Sequence, residues 1–180
     1  KALVKYSVIT KNPFLFWKPL PSTKSKTKHT IPDYILDELF APLKAEKPNV
    51  SFTDFRNALA CYFMLITGTR LSATLNMKWS DIFDISDISG GRKKVKLREK
   101  FNVEIEKPLP NKFVKLLEKY KKFYPLKTRS KYVFPNPQGY RLTPRLMQYW
   151  FKDKMKQFDA DKLFSPHSLR HTAALKMYLA

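Results

Sequence analysis

Arg70 stands in a segment that favours phosphate chemistry. It follows Gly68 by two positions in the run Thr67-Gly68-Thr69-Arg70. A guanidinium just beyond a glycine turn is held by the backbone, and it can donate two parallel N–H bonds to one phosphate group. The same run also fits a surface arginine that caps a helix terminus. The residues alone leave both interpretations open.

His167 and Arg170 form a second candidate pair, just after Ser165-Pro166. They are three residues apart, so they share a face near the start of a predicted helix, where backbone N–H groups and the helix dipole favour an anion. An imidazole exchanges a proton near neutral pH beside a permanently charged arginine, which suits phosphoryl transfer. A structural histidine with a solvated arginine is the alternative. We expect His171 to point away from this face and to pack or form hydrogen bonds.

Lys100 lies at the expected turn between two predicted strands. Lys96, Arg98 and Lys100 alternate with Val95 and Leu97, so one face of the hairpin should present a row of cations. A lysine near a leaving oxygen can donate a proton if neighbouring cations lower its pKa. The alternative is a solvated hairpin lysine, which is the common case.

The spacing of apolar residues predicts the helices that position these side chains. The strongest signal runs from Phe55 to Ile66, where apolar residues recur every three or four positions. Gly68 should end that helix, and a short helix should resume from Arg70 to Trp79. Other helices are predicted over 111–123, after Thr143-Pro144, after Ser165-Pro166, and after a Thr30 cap with an apolar stripe of Tyr34, Ile35, Leu39 and Leu43.

Between positions 81 and 107 the pattern changes to short alternating runs, which predict three antiparallel strands. Helices, then a small sheet, then helices indicate a mostly helical α+β domain with a three-stranded antiparallel sheet. We expect this domain to span residues 30–180. Residues 1–29 are basic and rich in Ser, Thr and Pro, and we interpret them as an approach segment.

The net charge points to a polyanionic partner. The chain has 180 residues with 35 Lys+Arg against 15 Asp+Glu, a formal charge of +20. Repulsion among so many positive charges destabilises a compact fold unless a polyanion occupies the surface. Nucleic acid is the leading candidate for this polyanion. A merely solubilising surface is the alternative. An acidic membrane surface fits less well, because no segment resembles a basic amphipathic anchor, and no apolar run is long enough to span a bilayer.

The single Cys61 lies in an apolar run, where a buried and inert thiol is expected. One cysteine cannot form an internal disulfide, so a reducing compartment fits best.

Taken in order, the three segments resemble a known family. Thr67-Gly68-x-Arg70, then Lys100 followed by Pro108-Leu109, then His167-x-x-Arg170 is similar to the catalytic domain of the tyrosine recombinases, the phage integrase or lambda-integrase-like family. Three further runs are also similar to the family: Trp79-Ser80-Asp81-Ile82, Tyr132-Val133-Phe134-Pro135 and Leu169-Arg170-His171-Thr172.

The resemblance implies that a tyrosine attacks a DNA phosphodiester, leaving a 3′-phosphotyrosyl link and a free 5′-hydroxyl, without a metal or nucleotide cofactor. By this analogy Arg70 and Arg170 hold the non-bridging oxygens, Lys100 protonates the leaving 5′-oxygen, and His167 handles the proton of the nucleophile. Two fixed arginines would supply the charge stabilisation that metal pairs supply in many nucleases.

The sequence also departs from the family pattern. Ala73 stands where an acidic residue usually supports the first arginine, and Phe101-Asn102 replaces the common Thr-Gly after the lysine. We expect the 180 residues to stop before the later His/Trp box and the nucleophilic tyrosine, with Tyr178 unsuited because it shares a helix with Arg170. The chain should then bind DNA without cleaving it.

The expected partner is double-stranded DNA, contacted by Lys78, Lys96 and Arg98. The full-length protein should form an oligomer on DNA, act in the cytoplasm of a bacterium or phage-infected host, and have no membrane partner. Integration of a mobile element is favoured over chromosome-dimer resolution. A type IB topoisomerase-like enzyme and a non-catalytic DNA-binding module remain alternatives.

Overall fold

The computed structural model describes residues 29–47, 49–84, 93–98 and 103–179. These residues form seven α-helices and one small sheet, joined by turns and loops. The helices are α1 (Asp33–Leu39), α2 (Ala41–Lys44), α3 (Phe52–Thr67), α4 (Leu71–Asn76), α5 (Asn111–Phe123), α6 (Pro144–Lys156) and α7 (Pro166–Leu179). The strands are β1 (Ile82–Asp84), β2 (Lys93–Arg98) and β3 (Glu104–Leu109), and 3₁₀ turns cover Trp79–Asp81 and Lys127–Arg129. This is the predicted α+β fold.

Helix α3 has clear start and stop signals in its sequence. The Ser51 hydroxyl accepts a hydrogen bond from the Asp54 amide at 3.0 Å, and the Asp54 carboxylate in the first turn suits the helix dipole. At the other end Gly68 adopts a left-handed conformation with φ +63°, and its N–H donates to the Met64 carbonyl at 2.9 Å. Both the predicted helix and its predicted glycine stop are confirmed.

Helix α3 lies at the centre of the hydrophobic core. Phe55, Leu59 and Phe63 are fully buried, as is Cys61, in agreement with the predicted inert thiol. The helix packs against α7 on one side and α5 on another, where the Phe63 and Phe113 rings approach to 5.2 Å between centroids. Burial of each large apolar side chain stabilises the fold by about 1.5–3 kcal/mol. The core therefore fixes α7 and α5 relative to the end of α3.

The sheet is antiparallel, with β2 in the middle. Val95 and Leu97 of β2 point into the core with 0% and 2% of their surface exposed, whereas Lys96 and Arg98 are exposed. In register, Val95 pairs with Lys107 of β3. The predicted alternation of β2 and the three antiparallel strands are confirmed.

The first helix begins differently from the prediction. Its N-cap residue is Pro32, and the predicted cap, Thr30, lies outside the helix. The Ile31 amide donates to the Thr172 hydroxyl of α7 at 2.9 Å, so a distant side chain fixes this entry. Tyr34 of the predicted apolar stripe is 63% exposed, and the helix breaks at Phe40 before α2 begins.

The short helix predicted from Arg70 to Trp79 covers only Leu71–Asn76, and Trp79 begins a separate 3₁₀ turn. The helix starts predicted at Thr143-Pro144 and Ser165-Pro166 are confirmed. The Thr143 hydroxyl accepts from the Leu146 amide at the start of α6, where Pro144 occupies the first position. Helix α7 begins at Pro166, as the Ser165-Pro166 pair predicts. Within the described ranges, none of the helices is both long enough and apolar enough to cross a membrane.

Candidate active site

Arg70 is the N-cap residue of α4, in an extended conformation two residues after the left-handed Gly68. Before it, the Thr67 and Thr69 hydroxyls share a hydrogen bond of 2.7 Å. After it, the Arg70 carbonyl accepts from the Thr74 amide at 3.0 Å and from the Thr74 hydroxyl at 3.1 Å. The backbone of Arg70 is therefore fixed on both sides.

Although Arg70 is the N-cap residue of α4, its side chain makes no capping hydrogen bond to that helix. A helix N-terminus presents N–H donors, and a guanidinium has only donors, so it cannot accept their hydrogen bonds. The half-buried Arg70 side chain starts from a rigid turn instead.

Arg170 lies one turn into α7, on a helix held firmly against the core. Leu169 and Ala173 are buried, and the Thr172 hydroxyl donates to the Ser168 carbonyl at 2.9 Å while it accepts the Ile31 amide. Because α7 packs along α3, Arg170 is carried next to the helix that ends at the Arg70 turn. Its side chain is half-buried.

His167 is exposed near the start of α7, and its ring contacts the ring of His171. The centroids are 4.7 Å apart and the planes are nearly perpendicular, at 89°. The expectation that His171 points away from His167 is wrong. Residues four apart on a helix are neighbours on one face, and this spacing could have identified the contact.

Lys107 connects the two arginine segments. This half-buried lysine of β3 donates a hydrogen bond from Nζ to the carbonyl oxygen of Thr67, the last residue of α3, at 2.5 Å. Burial lowers the pKa of Lys107, and the positive charge of Arg170 lowers it further. Lys107 therefore contacts the end of α3, which leads to Arg70, and it also lies within range of the charge of Arg170.

Sequence reasoning missed Lys107, although the alternation in β3 contains a signal. Residues Glu104–Leu109 read Glu-Ile-Glu-Lys-Pro-Leu, so Ile105, Lys107 and Leu109 share one face. That face turns towards the interior, since Ile105 is half-buried and Leu109 is buried, whereas Glu104 and Glu106 are exposed. A lysine between two inward-facing apolar residues is unusual, and it marks a buried role for its ammonium group.

Lys100 belongs to residues 99–102, which lie outside the described ranges, between the end of β2 and the start of β3. Its predicted role stays a prediction. Phe101-Asn102 lies in the same segment.

Lys78, Lys96 and Arg98, the residues expected to contact DNA, line one surface cavity of about 400 Å³. Ala73 lies in the same lining, so the position that usually carries an acidic residue in the family faces this cavity here. Lys78 immediately precedes the 3₁₀ turn Trp79–Asp81, and its amide donates to the Asp81 carboxylate at 2.8 Å. The structure thus brings together three cations that are up to 20 positions apart in the sequence.

Carboxylates partly neutralise this cationic surface. The Lys96 Nζ lies 2.6 Å from Glu104 and the Arg98 Nε lies 3.1 Å from it, both across the β2–β3 pair. Hydrogen bonding from Lys96, with Arg98 acting in the same direction, lowers the pKa of Glu104. The row of cations predicted from β2 is present at Lys96 and Arg98, but it is paired with a glutamate of β3 that sequence reasoning left out.

No three histidine, cysteine, aspartate or glutamate side chains lie close enough to hold a metal ion in the part of the chain that the structure describes.

A family model described as the phage integrase family matches residues 37–180. The chain belongs to this family. The match covers most of the chain and confirms the predicted resemblance to the tyrosine recombinases. No curated protein matches the sequence.

Solved structures of two recombinases and of lambda integrase share the fold. The XerH site-specific recombinase bound to palindromic difH substrate matches with a TM-score of 0.65 and 19% identity, over 88% of this chain and 44% of XerH. The XerA recombinase matches with a TM-score of 0.63 and 20% identity, over 97% and 56% of the two chains. A lambda integrase dimer bound to a COC′ core site matches with a TM-score of 0.60 and 19% identity, over 96% of this chain and 60% of lambda integrase. The chain thus spans less than half of XerH.

Proposed function

We propose that this chain carries the phosphate-activating part of a DNA strand-cleaving and rejoining enzyme, a tyrosine site-specific recombinase or integrase. Family membership and the shared fold support this proposal. The observation that carries it is the approach of the two arginine segments, which meet around Lys107. In this proposal the two arginines, 100 positions apart in sequence and on rigid elements, bind one phosphate group between them.

In the proposed reaction a tyrosine hydroxyl attacks the phosphorus of one DNA phosphodiester. The new bond joins phosphorus to the tyrosine oxygen, and the bond from phosphorus to the 5′-oxygen breaks. His167 takes the proton of the tyrosine, and Lys100 gives a proton to the leaving 5′-oxygen. The energy of the phosphodiester is kept in the 3′-phosphotyrosyl link, so the reverse reaction reseals a strand without a cofactor.

Arg70 and Arg170 stabilise the charge that develops in this reaction. The non-bridging oxygens gain negative charge as the phosphorus becomes five-coordinate, and preorganised donors contribute about 3–4 kcal/mol each at such positions. Both side chains start from fixed backbone, Arg70 from the N-cap position of α4 and Arg170 from α7, so little free energy is lost in ordering them.

Duplex DNA is the proposed substrate, held by contacts from the phosphate pocket and from Lys78, Lys96 and Arg98. The charge of +20 supports strong, salt-dependent binding. We place the nucleophile outside the described tyrosines such as Tyr178, which is 87% exposed and lies two turns from Arg170 on α7. The 180-residue chain should therefore bind DNA without forming a covalent link to it.

The remaining parts of the proposal concern the longer protein. It would assemble as an oligomer on paired DNA sites, with integration of a mobile element as its role, in the cytoplasm of a bacterial or phage-infected host. The solved XerH and lambda integrase complexes, which contain DNA substrate or core sites, support the DNA partner.

A double-mutant cycle tests whether the two arginines share one phosphate. Duplex DNA affinity is measured by fluorescence anisotropy for Arg70→Ala, Arg170→Ala and the double variant. Shared binding predicts a coupling free energy of about 0.5–3 kcal/mol between the two substitutions. The control cycle pairs Arg70→Ala with Arg145→Ala, an exposed residue of α6, and should be additive. Additive effects in the first cycle would exclude a shared phosphate.

A further inference from the structure

Lys107 occupies an unusual place for a lysine. Its strand neighbours on the same face, Ile105 and Leu109, pack towards the core, and its partner across the sheet is the fully buried Val95. The long side chain runs past this apolar surface, so that the ammonium group emerges at the end of α3. Packing therefore determines where this charge lies, unlike the charge of an exposed lysine.

The electrostatic surroundings of Lys107 are those of a site built for an anion. The influences on its ammonium are partial burial and the positive charge of Arg170, and both disfavour its charged form. Its hydrogen-bond partner, the Thr67 carbonyl, is neutral. In the described part of the chain, no carboxylate offsets this charge, in contrast to Lys96, which pairs with Glu104.

We propose that Lys107 is a phosphate-binding residue, the third cation of the pocket formed by the Arg70 turn and Arg170. This inference rests on the proposed function, because it assigns a further contact to the same phosphate. An ammonium group has three N–H donors, and the Thr67 carbonyl takes one of them. The others are available to a non-bridging oxygen of the DNA backbone.

A bound phosphate removes the unfavourable interactions of Lys107. An anion between Lys107 and Arg170 turns the repulsion of two like charges into two attractions in a partly buried site. The hydrogen bond to Thr67 meanwhile keeps the ammonium at the start of the Arg70 turn. Lys107 differs in this from Lys100, whose proposed role is to donate a proton to the leaving oxygen.

The test is the salt dependence of duplex DNA binding by the 180-residue chain. Anisotropy titrations between 50 and 200 mM salt compare wild type with Lys107→Met, Lys107→Arg and Arg170→Ala. Loss of one phosphate contact should reduce the slope of log K against log salt by about 0.9 and weaken binding about tenfold at fixed salt. Lys107→Arg keeps a cation and should keep most of the slope.

Lys119→Met is the matched control. Lys119 is also half-buried, and its Nζ also donates to a backbone carbonyl, that of Leu43 at 3.1 Å. Both substitutions remove one charge and one hydrogen bond of the same kind. Thermal melts of all variants measure the structural cost separately, and titrations are run well below each melting temperature.

The outcomes separate the inference from the function on which it rests. A smaller slope for Lys107→Met and Arg170→Ala, with Lys119→Met and Lys107→Arg close to wild type, supports Lys107 as a phosphate ligand. An unchanged slope for Lys107→Met with a reduced slope for Arg170→Ala overturns the inference and leaves the proposed function standing. Unchanged slopes for both contradict the phosphate pocket itself. Equal losses for Lys107→Met and Lys119→Met would show only the effect of net charge, and would also overturn the inference.

Discussion

Arg56 of α3 donates a hydrogen bond from Nη1 to the carbonyl oxygen of Pro135, 79 positions later, at 2.7 Å. The side chain is 2% exposed, and its Nε donates to the Asn57 side chain at 2.9 Å. Burial lowers the pKa of Arg56 to about 10, so it is still charged at neutral pH. This buried cation ties the central helix to the segment between α5 and α6.

Arg56→Met should destabilise the fold by about 2–4 kcal/mol, because it leaves a buried carbonyl and a buried amide oxygen without donors. Urea denaturation followed by circular dichroism measures the change. Arg145→Met is the control, since Arg145 is exposed and its contact with Tyr149 should be worth less than about 0.5 kcal/mol. Equal midpoints for the two variants would contradict a structural role for Arg56.

Substitution of Gly68 should affect both stability and DNA binding. Its φ of +63° costs an alanine about 1–2 kcal/mol, although a Cβ would meet no atom within 4 Å. Gly68→Asn should cost less, because asparagine tolerates the left-handed region. Since Gly68 sets the direction of the chain into Arg70, the alanine variant should also bind duplex DNA more weakly.

Gly139, with φ +88°, provides the comparison for Gly68. Gly139→Ala should lower stability by a similar amount and leave DNA affinity unchanged. If Gly68→Ala and Gly139→Ala weaken DNA binding to the same extent, the turn before Arg70 has no special part in binding.

Removal of the Glu104 carboxylate should strengthen DNA binding. Glu104→Gln releases Lys96 and Arg98 from their shared partner, and the loss of this exposed ion pair should increase DNA affinity about two- to fivefold at low salt. Glu118→Gln changes the net charge equally, from an exposed position on α5. A gain no larger than that of Glu118→Gln would place Lys96 and Arg98 away from the DNA.

DNA affinity should fall as the pH rises towards the ordinary lysine range. Burial and Arg170 lower the pKa of Lys107 in the free protein, and a bound phosphate would raise it again. Binding then takes up a proton between these two pKa values, so the dissociation constant increases with pH in that interval. Lys107→Arg should flatten this dependence at constant ionic strength. If the dissociation constants of wild type and Lys107→Arg changed with pH in the same way, Lys107 would not be the source of the pH dependence.

Much of the fold follows from local sequence signals. The spacing of Phe55, Leu59 and Phe63, the Gly68 stop and the Thr143-Pro144 start each specify an element through interactions within a few residues. Such signals do not depend on the rest of the chain, and the corresponding helices are found where they were predicted.

The structure differs from the predictions where contacts between residues distant in sequence determine the local conformation. Threonine is a favourable N-cap residue, yet Thr30 does not cap α1. The Ile31 amide donates to the Thr172 hydroxyl, and the N-cap residue of the helix is Pro32. The role of Lys107 depends on a carbonyl 40 positions away and on Arg170, and neither is visible from β3 alone. The order of the sequence motifs identified Arg70 and Arg170 as candidate site residues. It did not identify Lys107.

The hydrogen bond from the Ile31 amide to the Thr172 hydroxyl joins residues 141 positions apart. During synthesis the amide emerges from the ribosome long before its acceptor exists, so the entry to α1 cannot be fixed until α7 has been made. Because α7 also carries Arg170, the pocket can assemble only after α7 has been synthesised. A nascent chain would therefore contain most of its core residues before it could bind a phosphate.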